Sequence, residues 1–350
     1  MSVTIKDVAK EAGVSPSTVS RVINKKGMIS EETRDNILRI MKEMNYFPNS
    51  TARSFVNGST EAIALIVDVV DVRAYSNNFF NNSVFGIETV AHTSGYNLII
   101  TNGRVNTDNI SSAEKLVFGK KVDGIILPAS MVKRSFIDKL KEIKFPYVIL
   151  GEPAQQLSDS SWVDINNIQG GESAAEHLLS KGYEKIAFLS SGENDVFNKN
   201  RITGYCRGLA NRGVPVNQDY IRHCIPNADH GMKAMEELFQ QQNKPNAVIC
   251  SDYNLASGAL RAAKKSGFCV PRDFGVVSFD NSPVAELSEP PFTTVDIDTF
   301  DLGEQAAKIL IQSIQDKEMP CRQILISTKI IARESTEKIG EGFRVTQNGN

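Results

Sequence analysis

One short stretch combines several hydroxyl side chains with one arginine, residue types that can bind the phosphates and the bases of a nucleic acid. In Ser15-Pro-Ser-Thr-Val-Ser-Arg-Val-Ile-Asn24, Val19, Val22 and Ile23 recur at helical spacing, so the polar residues share the opposite face. Hydroxyls and backbone N–H groups hold phosphates, and an arginine can bind a guanine edge with two hydrogen bonds. Arg21 is the candidate for contact with a base. Together with Thr4, which precedes this stretch, the candidate DNA contacts of the head are Thr4, Ser15, Pro16, Ser17, Thr18, Ser20, Arg21 and Asn24.

Three predicted helices position these side chains. The first follows a capping Thr4 and carries an apolar stripe, and Gly13 supplies the permissive backbone of its end. The second begins at Pro16 after the cap Ser15, which makes a helix-turn-helix. A third helix follows Ser30, with four residues expected in the core: Ile37, Leu38, Met41 and Met44. The alternative is a three-helix bundle whose outward Ser and Arg side chains are only solvated.

The charge of the chain divides unevenly along its length. The 350 residues carry a net charge of −2, yet residues 1–60 hold nine Lys or Arg against six Asp or Glu. A small basic head on an acidic body agrees with a nucleic-acid partner for the head. No signal peptide or membrane-spanning run is recognisable, and five scattered cysteines suggest reduced thiols, so we expect a cytoplasmic protein without a membrane partner.

From Glu61 onward, apolar strands alternate with helices. This alternation predicts an α/β body of two doubly wound lobes, with an all-α head before it. No GxGxxG follows the first strand and no GxxxxGK[ST] occurs anywhere, which removes the main sequence support for dinucleotide or P-loop binding. We therefore expect no cofactor and no enzymatic activity. A solute-binding protein or an α/β enzyme remains the competing class.

Small ligands bind such folds at the carboxyl ends of the strands. Arg201 is expected to open a helix there, Asp280 ends a strand, and Asp252 follows another strand. All three are candidate ligand-binding residues. Asp252 and Asp280 could instead cap helices, and Arg201 could be a surface charge.

The head motifs, together with Tyr46-Phe-Pro-Asn49 and Ala52-Arg-Ser-Phe55, resemble the head and hinge of the lac repressor family of bacterial transcription regulators. The resemblance implies a periplasmic-binding-protein-like body with three crossings between its lobes, near Val163–Asp164, Phe292–Val295 and Pro320–Gln323. The domains expected from it are a DNA-binding head over 1–48, a hinge helix over 49–59, an N-terminal lobe over 60–163 with 293–320, a C-terminal lobe over 164–292 with 321–336, and a tail over 337–350.

The resemblance also implies an effector site. Arg201-Ile-Thr-Gly-Tyr205 and Asp280 match the family's effector-holding arginine and aspartate. Asn167 lies in the crossing segment, and Phe79 and Phe80, expected ahead of the first body helix, are candidates for stacking on a sugar, with core packing as the alternative. Several strings look most like maltose-responsive regulators of Gram-positive bacteria, although Ile165-Asn-Asn167 departs from their acidic–amide pair. A non-sugar effector, such as a nucleoside or purine, is the alternative.

The predicted hinge carries a phenylalanine, Phe55, with two interpretations. By resemblance, Asn49, Ala52 and Phe55 contact DNA, and Phe55 occupies the position of a leucine wedged between base pairs in the minor groove. The alternative is that Phe55 packs against the body. A helix-turn-helix of this size binds half-sites, so we expect a homodimer on a palindromic double-stranded operator, and the tail has no leucine heptads for a tetramer.

Overall fold

A computed structural model describes residues 3–24, 27–47, 58–68, 78–104, 110–154 and 157–337. Most of the predicted hinge, including Asn49, Ala52 and Phe55, lies outside the described residues, as does all of the predicted tail except Glu337. Within the described ranges, no helix is both long and apolar enough to cross a bilayer.

The head contains three helices: α1 (Ile5–Glu11), α2 (Pro16–Ile23) and α3 (Glu31–Glu43). The Asp7 carboxylate accepts hydrogen bonds from the backbone N–H and the hydroxyl of Thr4, at 2.9 and 2.6 Å, which fixes the start of α1. The Ser15 hydroxyl accepts from the Thr18 N–H at 3.1 Å and caps α2. Gly13 has a φ of +65° in the turn between them, a conformation that glycine adopts without strain. The expected helix-turn-helix is present.

The head core differs in one respect from the expectation. Val8, Val19, Ile37 and Ile40 are buried, but Leu38 is 48% exposed, so its predicted burial was wrong. Met41 and Met44 are half-buried at the edge of this cluster. One apolar stripe on α3 accounts for the pattern, because positions 37, 40, 41 and 44 follow three- and four-residue spacing and position 38 lies off that face.

The first lobe of the body is built on a fully parallel six-stranded sheet in the order β11-β5-β4-β3-β1-β2. The strands are β1 (Ala62–Val67), β2 (Asn97–Asn102), β3 (Gly124–Pro128), β4 (Tyr147–Leu150), β5 (Trp162–Ile165) and β11 (Gln323–Ile326). Its helices are α4 (Asn78–Thr93), α5 (Ser112–Phe118), α6 (Arg134–Glu142) and α12 (Thr299–Gln315). Every residue of β1 is buried, as expected of a central strand covered on both faces.

The second lobe repeats this order, as β12-β10-β9-β8-β6-β7, with β12 antiparallel to β10. The strands are β6 (Ile186–Ser190), β7 (Ile221–His223), β8 (Ala247–Cys250), β9 (Gly275–Phe279), β10 (Thr293–Ile297) and β12 (Thr328–Ile331). Its helices are α7 (Asn167–Ser180), α8 (Val196–Asn211), α9 (Ala228–Phe239), α10 (Tyr253–Lys265) and α11 (Pro283–Leu287). The two doubly wound lobes expected from the alternation are therefore present.

The three crossings between lobes lie later in the chain than predicted. The first falls at Asn166, between β5 and α7, and the second at Asp298, because β10 belongs to the second sheet. The third falls at Ser327, between β11 in the first sheet and β12 in the second. The crossings lie late because each strand stays paired in its sheet up to the crossing. The sequence did not show this, because apolar periodicity does not reveal which sheet a strand joins.

Candidate functional site

Arg201 lies at the centre of a polar cluster in the second lobe. It belongs to the second turn of α8, which begins at Val196, so the expectation that Arg201 opens the helix was wrong. Its side chain is buried, which excludes the surface-charge alternative. The Nε–H donates to Asn167 Oδ1 at 2.8 Å, and Nη1 donates to the Ser251 carbonyl at 2.8 Å. The guanidinium is thereby fixed to α7 and to the end of β8.

Close packing of two helices places Arg201 at this depth. Helix α7 lies directly against α8, and a Cβ added to Gly171 would collide with the Arg201 carbonyl. A Cβ on Gly204 would collide with the Ile168 carbonyl from the other side. Glycine at both positions lets the backbones approach closely enough for Asn167 to reach the arginine.

Two aromatic rings flank the guanidinium. The Cζ atom of Arg201 lies 4.0 Å from the centroid of the Phe279 ring and 5.1 Å from that of Phe197, both within range of a cation–π interaction. Phe279 is buried, whereas Phe197 is 37% exposed and offers an apolar ring to solvent. The sequence reasoning did not identify Phe197, since a single aromatic residue at a helix start gives no periodic signal.

Three carboxylates interact electrostatically with this one arginine: Asp164, Asp252 and Asp280. Burial raises the pKa of each carboxyl group above its ordinary value, and the nearby Arg201 charge opposes that rise. Burial also lowers the pKa of Arg201 to about 10. Acidic groups outnumber the guanidinium, so the cluster favours neutral or cationic groups over anions. Sequence reasoning missed Asp164 because it lies inside an apolar strand.

The two predicted aspartates differ in what they offer a ligand. Asp252 caps α10, because its Oδ1 accepts from the Asn254 and Leu255 N–H groups at 2.8 and 3.1 Å. Its Oδ2 is buried and has no hydrogen-bond partner in the described residues, so it can still accept one. Asp280 has a φ of +75°, and its N–H donates to the Val295 carbonyl. No side-chain hydrogen bond of Asp280 is seen within the described chain, so capping does not explain it.

The other predicted effector residues have mainly structural contacts. Asn167 is buried, and its Nδ2 donates to the Ile165 carbonyl at 3.0 Å while its Oδ1 accepts from Arg201. Its amide therefore orients Arg201. Phe79 and Phe80 lie within the first turn of α4, not ahead of the helix as expected. Both are half-buried and pack against the body core, and stacking of either ring on a ligand stays a prediction.

One contact joins the two lobes beside Arg201. Asn200 Nδ2, on α8 of the second lobe, donates to Glu152 Oε2 at 2.7 Å, and Glu152 follows β4 of the first lobe. The Glu152 N–H donates to Asp164 Oδ2 at 3.0 Å. Asp164, Glu152 and Asn200 thus form a chain of hydrogen bonds between the lobes, and the region around Arg201 that it borders is called the crevice. A ligand held by Arg201 would lie next to this connection between the lobes.

Two open depressions occur away from the cluster, with volumes of about 410 and 460 Å³. One lies between α9 and α10, and the other near the second and third crossings. Neither includes Arg201 in its lining, so neither carries the polar chemistry described above. The described residues contain no group of three or more His, Cys, Asp or Glu suited to a metal ion.

The head presents the predicted DNA-contacting face. Thr4, Ser15, Pro16, Ser17 and Arg21 are exposed, while Thr18, Ser20 and Asn24 are half-buried. The Ser15 hydroxyl lies 2.7 Å from that of Ser17 and 2.8 Å from that of Thr18, which forms a hydroxyl cluster at the start of α2. Asn24 Nδ2 donates to the Ser20 carbonyl at 2.8 Å at the other end. No hydrogen bond or ion pair of Arg21 is seen within the described residues.

Comparison with known proteins finds a family match for the head and another for the body. Residues 4–49 match the family model described as bacterial regulatory proteins, lacI family, and residues 175–336 match a periplasmic binding protein-like domain. MalR of Streptococcus pneumoniae, an HTH-type transcriptional regulator, is 34% identical over 338 residues, which cover 95% of this chain and 100% of MalR. The chain belongs to the lacI family of bacterial regulatory proteins. It is a DNA-binding transcription regulator.

Other members show how varied the family is. The transcriptional repressor PurR of Mannheimia succiniciproducens is 30% identical over 336 residues, covering 96% of this chain and 99% of PurR. A solved complex of the transcriptional regulator CelR with cellobiose has 30% identity and a TM-score of 0.69, covering 95% of this chain and 99% of CelR. These relatives are transcription regulators, and cellobiose is bound in the solved CelR complex.

Proposed function

We propose that this regulator is a cytoplasmic, homodimeric repressor of carbohydrate-use genes whose operator affinity is controlled by a neutral sugar. Maltose or a maltodextrin is the first candidate. The observation that carries the proposal is the cluster of Asp164, Asp252 and Asp280 around the buried Arg201, with Phe197 beside it.

The chemistry of this cluster suits a polyhydroxyl ligand. Sugar hydroxyls can donate to the Asp280 carboxylate and to Asp252 Oδ2, and they can accept from the guanidinium of Arg201. An exposed aromatic ring such as Phe197 can pack on the apolar face of a sugar. The name of the relative MalR and the cellobiose bound to CelR support the same class.

Charge argues against an acidic effector. Three carboxylates against one guanidinium would repel the phosphate of a sugar phosphate, and partial burial weakens the screening by solvent. A purine or nucleoside is the second candidate, because the relative PurR is a member of the family and Phe197 could stack on a base. A ligand survey separates these two classes.

The head would bind DNA as a pair. Each α2 would enter the major groove of one operator half-site, with Arg21 at base edges and the Ser15, Ser17 and Thr18 hydroxyls at phosphates. Thr4, Pro16, Ser20 and Asn24 complete this face. Asn49, Ala52 and Phe55 of the predicted hinge would contact the minor groove between the half-sites. Effector binding beside Glu152 and Asn200 would alter the lobe arrangement and hence the spacing of the two heads.

A thermal-shift survey tests the effector class. The full chain is melted with maltose, maltotriose, cellobiose, glucose 6-phosphate and hypoxanthine, each at saturating concentration. A ligand at about a hundred times its Kd stabilises the folded state by roughly 2.7 kcal/mol, which raises Tm by several degrees. We expect a rise with a neutral sugar and none with the phosphate. A rise with hypoxanthine alone would favour the purine alternative and reject a sugar effector.

A further inference from the structure

Arg333 lies outside the crevice but contacts the segment that carries Asp280. Its side chain is 14% exposed and follows β12. Nη1 donates to the Phe292 carbonyl at 3.0 Å and to Thr294 Oγ1 at 3.1 Å. Nη2 donates to Asn281 Oδ1 at 2.7 Å and to Glu286 Oε1 at 3.0 Å. One guanidinium therefore connects β10, the residue after Asp280, and α11.

The backbone at Asp280 needs such support. A φ of +75° is uncommon for a residue with a side chain, and such a conformation persists only where the surrounding contacts hold it in place. The Asp280 N–H is held by the Val295 carbonyl, and the next residue, Asn281, is held by Arg333 and by the Thr294 hydroxyl at 3.4 Å. Without the hydrogen bond from Arg333, the Asn281 side chain would keep only the long hydrogen bond from the Thr294 hydroxyl.

The chain that follows Arg333 is held by hydrogen bonds to β9 and β10, the two strands that support Asp280. The Ser335 hydroxyl donates to the Val276 carbonyl of β9 at 2.6 Å and accepts from the Thr293 N–H of β10 at 2.8 Å. The hydroxyls of Thr336 and Thr293 lie 2.6 Å apart. Ser335 and Thr336 are both fully buried. The guanidinium therefore extends from a rigid anchor, which is what a positioning group requires.

We propose that Arg333 is a positioning residue of the effector site: through Asn281 it fixes the direction of the Asp280 carboxylate. This inference rests on the proposed role of Asp280 in effector binding. The two terminal nitrogens of Arg333 donate four N–H groups from one planar guanidinium. The three donors of a lysine ammonium cannot reproduce this arrangement. Glu286 is 63% exposed, so its ion pair contributes little to the clamp.

Hydrogen exchange of the effector-free full chain tests the clamp without any ligand. Arg333→Lys is expected to speed exchange of the amides of 280–287 by about tenfold, the effect of losing roughly one hydrogen bond's worth of local stability. Glu286→Gln is the matched control, because it removes only the negative charge of the exposed partner and keeps an acceptor oxygen, so its exchange should match that of the parent. Unchanged exchange over 280–287 in Arg333→Lys would overturn the proposal.

A double-mutant cycle tests whether Arg333 acts through Asp280. We expect Arg333→Lys to weaken maltose binding about tenfold in the parent and to have no further effect in Asp280→Asn. Equal losses in both backgrounds would show a general structural role and reject positioning. If the parent chain itself binds no maltose, the proposed effector is wrong, and the exchange result alone decides whether Arg333 holds the turn.

Discussion

The head and the crevice of this regulator are built in different ways. The contacts seen to shape the predicted DNA-binding face lie within the head, over residues 3–46, where caps, one glycine turn and a short apolar stripe suffice. The crevice joins Asp164 of the first lobe to Arg201, Asp252 and Asp280 of the second, which lie 37, 88 and 116 positions further along the chain. The head is therefore a locally encoded unit, and the crevice depends on the tertiary fold. Changes in one should leave the chemistry of the other intact.

The largest expected effect comes from Arg201→Ala. It removes the cation that faces three carboxylates and the donors proposed to bind the ligand, each charge-assisted bond contributing about 1.5–3 kcal/mol. We expect sugar affinity, measured calorimetrically, to fall at least about 100-fold. Operator affinity without sugar should stay near that of the parent, because the head has its own core.

Arg207→Ala is the matched control for that change. Arg207 lies on the same helix but is exposed, so sugar affinity should not change. Circular dichroism checks that both variants are folded. Full sugar affinity in folded Arg201→Ala would remove Arg201 from the site.

Phe55→Ala is the corresponding change on the DNA side. If Phe55 is a wedge in the minor groove, its loss should weaken operator binding roughly 10- to 100-fold, since an apolar wedge trades a few kcal/mol of unstacking for added contacts. Sugar affinity should be unaffected. A fall in the melting temperature of the body with operator affinity intact would support packing of Phe55 against the body instead.

A smaller effect follows from the raised pKa of the Asp280 carboxyl group. Burial makes this group take up a proton at a higher pH than an ordinary aspartate, whose pKa is about 3.9. Sugar hydroxyls donate best to the ionised form, so sugar affinity should fall as pH is lowered from neutrality through the raised pKa. Calorimetric titrations at several pH values measure this, and Asp280→Asn should make the profile less steep, the remaining slope coming from Asp164 and Asp252, whose pKa values burial also raises. A parent profile as flat as that of the variant would contradict the assignment.

The smallest expected effect comes from two caps of the head. Ser15 caps α2 and Ser30 caps α3 through the Thr18 and Thr33 N–H groups, so replacing either with alanine should cost the head about 1 kcal/mol. Only Ser15 belongs to the proposed DNA face. We expect Ser15→Ala to weaken operator binding severalfold more than Ser30→Ala. Equal losses would mean that the Ser15 hydroxyl acts as a cap alone.

The same division explains what the sequence could predict. Caps, the Gly13 turn and the stripe on α1 and α2 follow local rules, and only Leu38 was misplaced in the head core. Arg201 and Asp280 were predicted from strand ends and from the resemblance to the lac repressor family. Asp164 and Phe197 could not be predicted in this way. Their contacts with Arg201 exist only because the fold brings β5 and α8 together. The crossings were misplaced for a similar reason, since sheet membership is a tertiary property.

We propose that a neutral sugar in the crevice controls the affinity of the head for operator DNA. The most direct test of this proposal is a titration of the full chain against a palindromic site selected from random DNA, at fixed salt, with and without maltose. Maltose should shift the operator Kd at least about tenfold, a coupling of roughly 1.4 kcal/mol, and Arg201→Ala should abolish the shift. An operator Kd unchanged by maltose and by every other neutral sugar that binds the chain would contradict it.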